Sequence, residues 1–170
     1  MKRRKFIKTV GSIAGTVTFG GHILFISCTN EISPYNELFS KTDVRFLNEL
    51  ADIIIPPTST PGGKEAKVGE FMALVIKDCY PVNEQAEYIE AMEKINSKCQ
   101  DEFGKPFLDC DKIQRSGIAE EMNNAGNEYF RLLKELIVSG YLSSEIGKTQ
   151  FLEYHPVPGR YDGCTSQRPW

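Results

Sequence analysis

Apolar side chains recur three and four residues apart through most of this 170-residue chain, and prolines and glycines interrupt the recurrence. This spacing places apolar residues on one face of an α-helix, whereas a half-buried strand needs strict alternation. In the first such segment the apolar face comprises Phe46, Leu47, Leu50, Ile53 and Ile54. Thr42 is placed to cap a helix starting at Asp43, and Pro56-Pro57 ends it. The pattern therefore predicts a helical chain.

Five further segments continue the helical pattern. Their predicted extents are 65–79, 84–103 capped by Asn83, a shorter helix through Ile118 and Met122 capped by Asp109 or Asp111, 128–139 followed by Gly140, and 144–154. No stretch alternates for long enough to predict a strand. We predict an all-α fold for residues 42–170, a small bundle of five to six helices with an irregular Pro/Gly-rich tail at 155–170.

The first 27 residues differ from the rest in charge. The chain has 20 Lys+Arg and 23 Asp+Glu, and five of the basic residues lie in the first eight positions. Subtracting these five leaves 15 basic against 23 acidic residues, a net charge of −8. A basic start followed by an apolar stretch at 9–27 is typical of a targeting peptide. Four glycines interrupt that stretch, so a signal peptide is favoured over an N-terminal anchor helix.

The start also resembles a known export signal. Arg3, Arg4, Phe6, Ile7 and Lys8 match the twin-arginine pattern of two arginines, any residue, Phe, an aliphatic residue and Lys. The resemblance implies export of a folded protein by the twin-arginine translocation machinery. We therefore expect residues 1–27 to be a signal peptide and the protein to be periplasmic.

Cys28 follows a small residue at the end of the apolar stretch, which resembles a bacterial lipoprotein cleavage site. The departure from that pattern is Phe25, where an aliphatic residue is usual. If Cys28 is lipidated, residues 28–41 form a linker that tethers the domain to a membrane. The alternatives are an ordinary signal peptide that is cut nearby and a leftover cysteine.

Five cysteines are an odd number for an exported chain. Without Cys28 the even set of Cys79, Cys99, Cys110 and Cys164 remains, and these four are candidates for disulfides or for buried thiols. Four cysteines allow three pairings, and the sequence does not choose between them. A metal site is disfavoured because no pair is spaced as CxxC and His155 is the single histidine after residue 27.

Motifs for chemistry are otherwise absent from the sequence. There is no dinucleotide-binding GxGxxG, phosphate-binding loop or haem-attaching CxxCH. Paired acids occur at Glu120-Glu121 and at Asp109 and Asp111, where solvated faces and helix caps are the expected roles. The negative charge disfavours nucleic acid as a partner. We expect no catalytic residue, metal or cofactor in this chain.

The tail HPVPGRYDGCTSQRPW contains three prolines, which preclude a regular helix. Aromatic residues with a polar tip are common in interfaces, so the tail is expected to dock into a groove on the body or on a partner. The alternative is that these side chains cover the body's own core. The candidate interface residues are Tyr141, Tyr154, Pro156, Pro158, Tyr161 and Trp170.

Four blocks, in order, resemble the gluconate 2-dehydrogenase subunit 3 family over residues 40–165. They are 50–56 (LADIIIP), 66–71 (AKVGEF), 130–147 (FRLLKEL running into GYLSSEIG) and 154–164 (YHPVPGRYDGC). The resemblance implies a helical, cofactor-free small subunit of a dehydrogenase complex. Its partner would be a large FAD-containing oxidoreductase that oxidises a sugar, sugar acid or polyol, and a haem-carrying cytochrome c would accept the electrons.

This resemblance also explains the leader. A flavoprotein that folds around FAD in the cytoplasm and has no leader can be exported on a partner that has one. We therefore expect a non-catalytic, membrane-associated subunit that stabilises the flavoprotein and carries it out. The main alternative is a free-standing envelope lipoprotein that binds a ligand or another protein. An enzyme in its own right is the third class, and the sequence offers no site for it.

Overall fold

The computed structural model describes residues 37–152, which lie within one compact unit. Within that range there are five α-helices and no strand, together with a 3-10 turn at Phe107–Asp109 and a π-helical turn at Gly147–Phe151. The helices are α1 (Lys41–Ile54), α2 (Val68–Cys79), α3 (Val82–Phe103), α4 (Lys112–Asn124) and α5 (Glu128–Ser143). The predicted all-α bundle of five to six helices is confirmed. The leader, Cys28, Cys164 and the tail 155–170 lie outside the described residues.

Helix α1 begins two residues earlier than the sequence indicated. Its cap is Ser40, not Thr42, and the Ser40 and Asp43 side chains bond reciprocally to each other's backbone N–H at 3.3 and 2.9 Å. Phe39 and Val44 occupy the flanking positions of a hydrophobic staple, and both are buried. The prediction was wrong because Thr42 is itself in the first helical turn, where its side chain cannot act as the N-cap.

Helix α2 starts at Val68 rather than at the predicted Glu65. Lys67 adopts a left-handed conformation with φ of 54°, so the preceding residues form a turn. Asn48 of α1 then caps α2 from outside, because its Oδ1 accepts the N–H of Gly69 at 3.0 Å. A Cβ on Gly69 would lie 2.7 Å from the carbonyl oxygen of Val44, so glycine permits this close crossing of α1 and α2.

The N-termini of α3, α4 and α5 show which of the predicted N-cap residues are correct. Asp111, one of the two predicted, caps α4 through the N–H of Gln114 at 2.8 Å. Helix α3 begins at Val82, preceded by Pro81, so Asn83 is inside the helix and the predicted Asn83 cap was wrong. Asn127 caps α5, because its Oδ1 accepts a hydrogen bond from the N–H of Phe130 at 3.0 Å.

Helix α5 continues through Gly140 to Ser143, where the sequence predicted an end at Ser139. Gly140 lies inside the helix, at a position where a Cβ would be 2.8 Å from the Phe71 ring. It therefore serves close packing of α5 on α2 and not helix termination. The predicted helix at 144–154 is shorter, a π-helical turn over Gly147–Phe151.

The core of the described region is entirely apolar. Helix α1 packs mainly on α2, and α3 packs mainly on α5. The residues that are almost fully enclosed include Leu47, Leu50, Met72, Ile76, Ile95, Ile118, Leu133 and Ile137. No polar or charged side chain of residues 37–152 is buried. Removal of this apolar surface from water is therefore the main stabilising contribution to the fold.

A polar cluster joins α1, α4 and the loop that precedes α2. Glu49 accepts hydrogen bonds from Arg115 Nη1 at 2.7 Å and from Lys64 Nζ at 2.5 Å. Arg115 Nε also donates to the Cys110 carbonyl at 2.8 Å, and the guanidinium stands 5.5 Å from the centre of the Phe107 ring. Burial would raise the pKa of Glu49, but the bonds from Lys64 and Arg115 outweigh it and lower the pKa. We call Glu49, Lys64 and Arg115 the polar clamp.

Candidate partner-binding surface

The acidic pairs singled out in the sequence have structural roles or face solvent. Asp111 caps α4, and Asp109 belongs to the 3-10 turn. Glu120 and Glu121 are exposed on α4, and Glu121 accepts a hydrogen bond from Lys98 at 2.8 Å. Over residues 37–152 no three His, Cys, Asp or Glu side chains come together in a way that could hold a metal ion. Among the described residues, these acids therefore act as helix caps, turn residues or surface charges.

Three of the cysteine candidates are described, and all three carry free thiols. Cys79 is exposed at the end of α2, whereas Cys99 and Cys110 are buried in the core. Burial first, and then its neighbour Cys110, raises the pKa of Cys99 to about 12. Cys99 therefore stays protonated near neutral pH and is a poor nucleophile. Disulfide pairing that involves Cys164 stays a prediction, because Cys164 lies outside the described residues.

An apolar groove lies between the loop after α1 and the C-terminal half of α5. It has a volume of about 420 Å³ and is lined mainly by Ile55, Pro56, Val138, Tyr141, Leu142 and Phe151, with Thr58, Thr60 and Leu152 completing the lining. We call it the loop groove. Tyr141 contributes its ring, since its hydroxyl already donates to the Pro61 carbonyl at 2.8 Å. The ring of Phe151 packs edge-on against Tyr141 with centroids 5.9 Å apart.

The turn after α5 brings Phe151 to this groove. Ser144 Oγ donates to the Tyr141 carbonyl at 2.6 Å and accepts the N–H of Gly147 at 2.9 Å. Gly147 packs so closely on the Tyr141 carbonyl that a Cβ there would collide with it. These contacts hold the chain in a tight reversal, so that Phe151 returns alongside α5 with 40% of its surface exposed.

A second groove continues along α5 towards its N-terminus. It has a volume of about 670 Å³ and shares Val138 and Leu142 with the loop groove. We call it the α5 groove, and the two together the apolar strip. The charged groups of the α5 groove pair within the chain: Arg131 donates to Glu135 at 2.7 Å, and Lys134 donates to Asn123 at 2.7 Å. The surface left without a counterpart is therefore apolar.

Comparison with known proteins identifies the family of the chain. The sequence model described as Gluconate 2-dehydrogenase subunit 3 matches residues 41–159. The chain belongs to this family. No curated protein and no solved structure matches the chain. Membership implies association with a dehydrogenase complex and fits the role of an accessory subunit.

In this subunit 3 protein, three of the four blocks that carry the family resemblance are described: two line the loop groove, and the third packs against one of them. The block 154–164 lies outside the described residues. The block 50–56 supplies Ile55 and Pro56 to its lining. The block 66–71 contacts the later block, because Phe71 and Val68 pack against Gly140. The block 130–147 supplies Val138, Tyr141 and Leu142. Segments that are far apart in the sequence therefore build one surface.

Of the interface candidates, Tyr141 is the one that the structure describes. Its side chain is 3% exposed and forms part of the loop-groove wall. Tyr154, Pro156, Pro158, Tyr161 and Trp170 lie outside the described residues, as do Arg3, Arg4, Phe6, Ile7, Lys8 and Cys28. Their roles in the interface, in export and in lipidation stay predictions. No helix of the described range is long and apolar enough to cross a membrane.

Sequence reasoning missed Val138, Leu142 and Phe151 as surface candidates. The signal was present in α5, where EYFRLLKELIVSGYL has more apolar residues than one helical face can hold. A helix that is apolar on more than one face is buried on several sides or presents a surface to a partner. On α5, helix α3 packs on the face that contains Leu133, and α2 packs on the face that contains Gly140. The apolar strip is the apolar part of α5 that these two helices leave uncovered.

Proposed function

We propose that this chain is the non-catalytic small subunit of an exported FAD-dependent oxidoreductase that acts on a sugar or sugar acid. It binds the large flavoprotein subunit, stabilises it and carries it through the twin-arginine export route. The family match over residues 41–159 carries the proposal, because members of this family associate with a dehydrogenase complex. FAD belongs to the large subunit, and a cytochrome c accepts the electrons.

The α5 groove is the proposed contact surface for the flavoprotein. Its apolar floor includes Phe130, Val138 and Leu142, and its charged neighbours already pair within the chain. A partner that covers it gains the burial of apolar surface without having to strip water from unpaired charges. Interfaces have this organisation, with an apolar centre and a polar rim.

Export of the complex depends on Arg3 and Arg4 in this proposal. The leader is basic, whereas the rest of the chain has a net charge of −8, so the leader is a separate functional segment. Replacing both arginines by lysine keeps the charge and removes the twin-arginine pattern. Substrate-dependent dye reduction should then disappear from the periplasmic fraction and accumulate in the cytoplasm. Unchanged periplasmic activity would contradict the carrier role.

Membrane attachment depends on Cys28 in this proposal. A Cys28→Ala variant should release the complex into the soluble periplasmic fraction while its flavin content and activity stay the same. Cys79→Ala is the matched control, because that thiol is exposed on the body and has no part in anchoring. Continued membrane association of the Cys28→Ala complex would show that the attachment resides in another subunit or segment.

The experiment that tests the subunit assignment is purification from native membranes. The tagged full chain is extracted in mild detergent from cells that express the whole locus, and the absorbance of the eluate is recorded. A flavin spectrum with a larger co-eluting protein is the expected result. A colourless eluate with a single protein band would contradict the proposal and favour the free-standing lipoprotein.

A further inference from the structure

We propose that the loop groove is the docking site for the chain's own C-terminal segment 154–158 (YHPVP). This inference goes beyond the subunit assignment and does not rest on it, because groove and occupant belong to the same chain. It gives the groove an intramolecular role and assigns the α5 groove alone to the partner.

The described part of the chain ends at the loop groove. Leu152 is the last described residue, and it lines the loop groove itself. Its backbone is extended, with φ of −98° and ψ of 144°. Residues 153–170 therefore start at the edge of the groove. A segment tethered this closely has an effective concentration on the order of millimolar, which a separate partner rarely matches.

Two prolines restrict the backbone of the YHPVP segment. Pro156 and Pro158 have a restricted φ, and each proline favours an extended conformation in the residue before it. The YHPVP segment is therefore restricted before it binds, and little conformational entropy is lost when it docks. Tyr154 follows Leu152 by two residues, so it is the first aromatic residue of the segment beyond the groove lining.

The lining of the loop groove suits a proline-rich extended segment. Proline-rich extended segments bind grooves that are lined by aromatic side chains. The loop groove presents the rings of Tyr141 and Phe151 beside Pro56 and Ile55. Its volume of about 420 Å³ lies within the range of about 300–1,000 Å³ that ligand pockets occupy. Thr58 and Thr60 are the polar side chains of the lining and the rest of it is apolar, so an apolar occupant matches most of the groove.

Photo-crosslinking of the full chain tests the proposal. Benzoylphenylalanine replaces Tyr154, and after irradiation the crosslinked peptides are identified by mass spectrometry. A mixture of isotopically light and heavy chains separates crosslinks within a chain from those between chains. The same probe at Ile113, which is 84% exposed on α4, is the control. The measurement is made on the isolated chain and on the complex with its partner.

The expected result is crosslinking within one chain to the 55–60 loop, to the end of α5 or to Phe151, in both samples. The Ile113 probe should give none of these products. Crosslinks from Tyr154 to a second copy, to the large subunit or to scattered surface positions would each overturn the proposal. Loss of flavin binding to the complex would bear on the subunit assignment and leave the crosslink pattern of the isolated chain unaffected.

A double-mutant cycle supplies an independent measurement. Leu142→Ala and Tyr154→Ala are made singly and together, and the unfolding equilibrium of the full chain is measured. The combined effect should differ from the sum by about tenfold in the unfolding equilibrium constant, the order expected for two contacting side chains. Ile113→Ala with Tyr154→Ala should be additive. Additivity in the Leu142 cycle as well would overturn the proposal.

Discussion

The polar clamp and the apolar strip are built from opposite chemistry on the same helical body. In the clamp, Glu49 is surrounded by two cations of the same chain, and its partner Arg115 has a further carbonyl acceptor and an aromatic ring. In the strip, Val138, Leu142 and Phe151 line grooves that no other part of the described range fills. The clamp is therefore closed by internal bonds, and the strip is open within the described range.

The difference indicates how one small subunit can be stable by itself and still gain stability from a bound partner. Internal partners satisfy the clamp, so it contributes to the free energy of unfolding of the isolated chain. The α5 groove contributes little until a partner covers it, because its apolar surface is still in water. A bound partner stabilises the folded state by mass action, so the complex should be more resistant to unfolding than the chain alone.

The largest effect is expected in the apolar core that both regions share. Leu47→Ala removes a fully buried side chain and should lower the free energy of unfolding by about 3 kcal/mol. Ile113→Ala removes a side chain that is 84% exposed and should change it by less than about 0.5 kcal/mol. Chemical denaturation followed by circular dichroism measures both. Equal losses in the two variants would contradict the burial pattern.

The clamp should contribute the next largest effect. Arg115→Met keeps much of the packing but leaves Glu49, whose side chain is 19% exposed, with Lys64 as its remaining partner in the clamp. A loss of about 2 kcal/mol in the free energy of unfolding is expected. Replacing Glu49 by Gln in the same variant should restore part of it, because the largely buried carboxylate that has lost one of its two cationic partners is gone. No recovery would show that Arg115 acts by packing alone.

The pH dependence of stability sharpens the same point. The pKa of Glu49 is lower in the folded state, so its contribution is fully present above the unfolded pKa of about 4.3. That contribution is lost as the pH falls through the folded pKa. The Glu49→Gln variant has no titrating group here and should lose less stability between about pH 6 and pH 3. Parallel pH profiles for the two proteins would contradict the lowered pKa.

The smallest effect on stability, and the largest on assembly, is expected in the α5 groove. Ser139 is exposed and lines this groove, so Ser139→Arg should change the free energy of unfolding by less than about 0.5 kcal/mol. It should lower co-purification of the flavoprotein at least about tenfold by blocking the groove. Ser97→Arg makes the same change at an exposed position on α3 and is the control. Equal recovery of flavin with both variants would exclude the α5 groove as the interface.

Much of the fold was predictable from local patterns. The face of Phe46, Leu47 and Leu50 is buried as the spacing indicated, and Asp111 caps α4. Two errors, at the start of α2 and at Gly140, occurred where a residue from another helix is involved: Asn48 of α1 caps α2 at Gly69, and Phe71 of α2 packs against Gly140. The cap errors at Thr42 and Asn83 were local. The candidate surface was predictable only in part, because its lining comes from three separated segments.

The sequence alone determined the helical class, the apolar faces and the family, because each depends on residue types at short, regular spacings or on ordered blocks. Tertiary structure decided where helices begin and end, which cysteines are buried, and which apolar residues remain at the surface. Those outcomes depend on contacts between residues far apart in the chain. The sequence shows that Val138 is apolar, but the packing of α2, α3 and α5 determines which neighbours cover it.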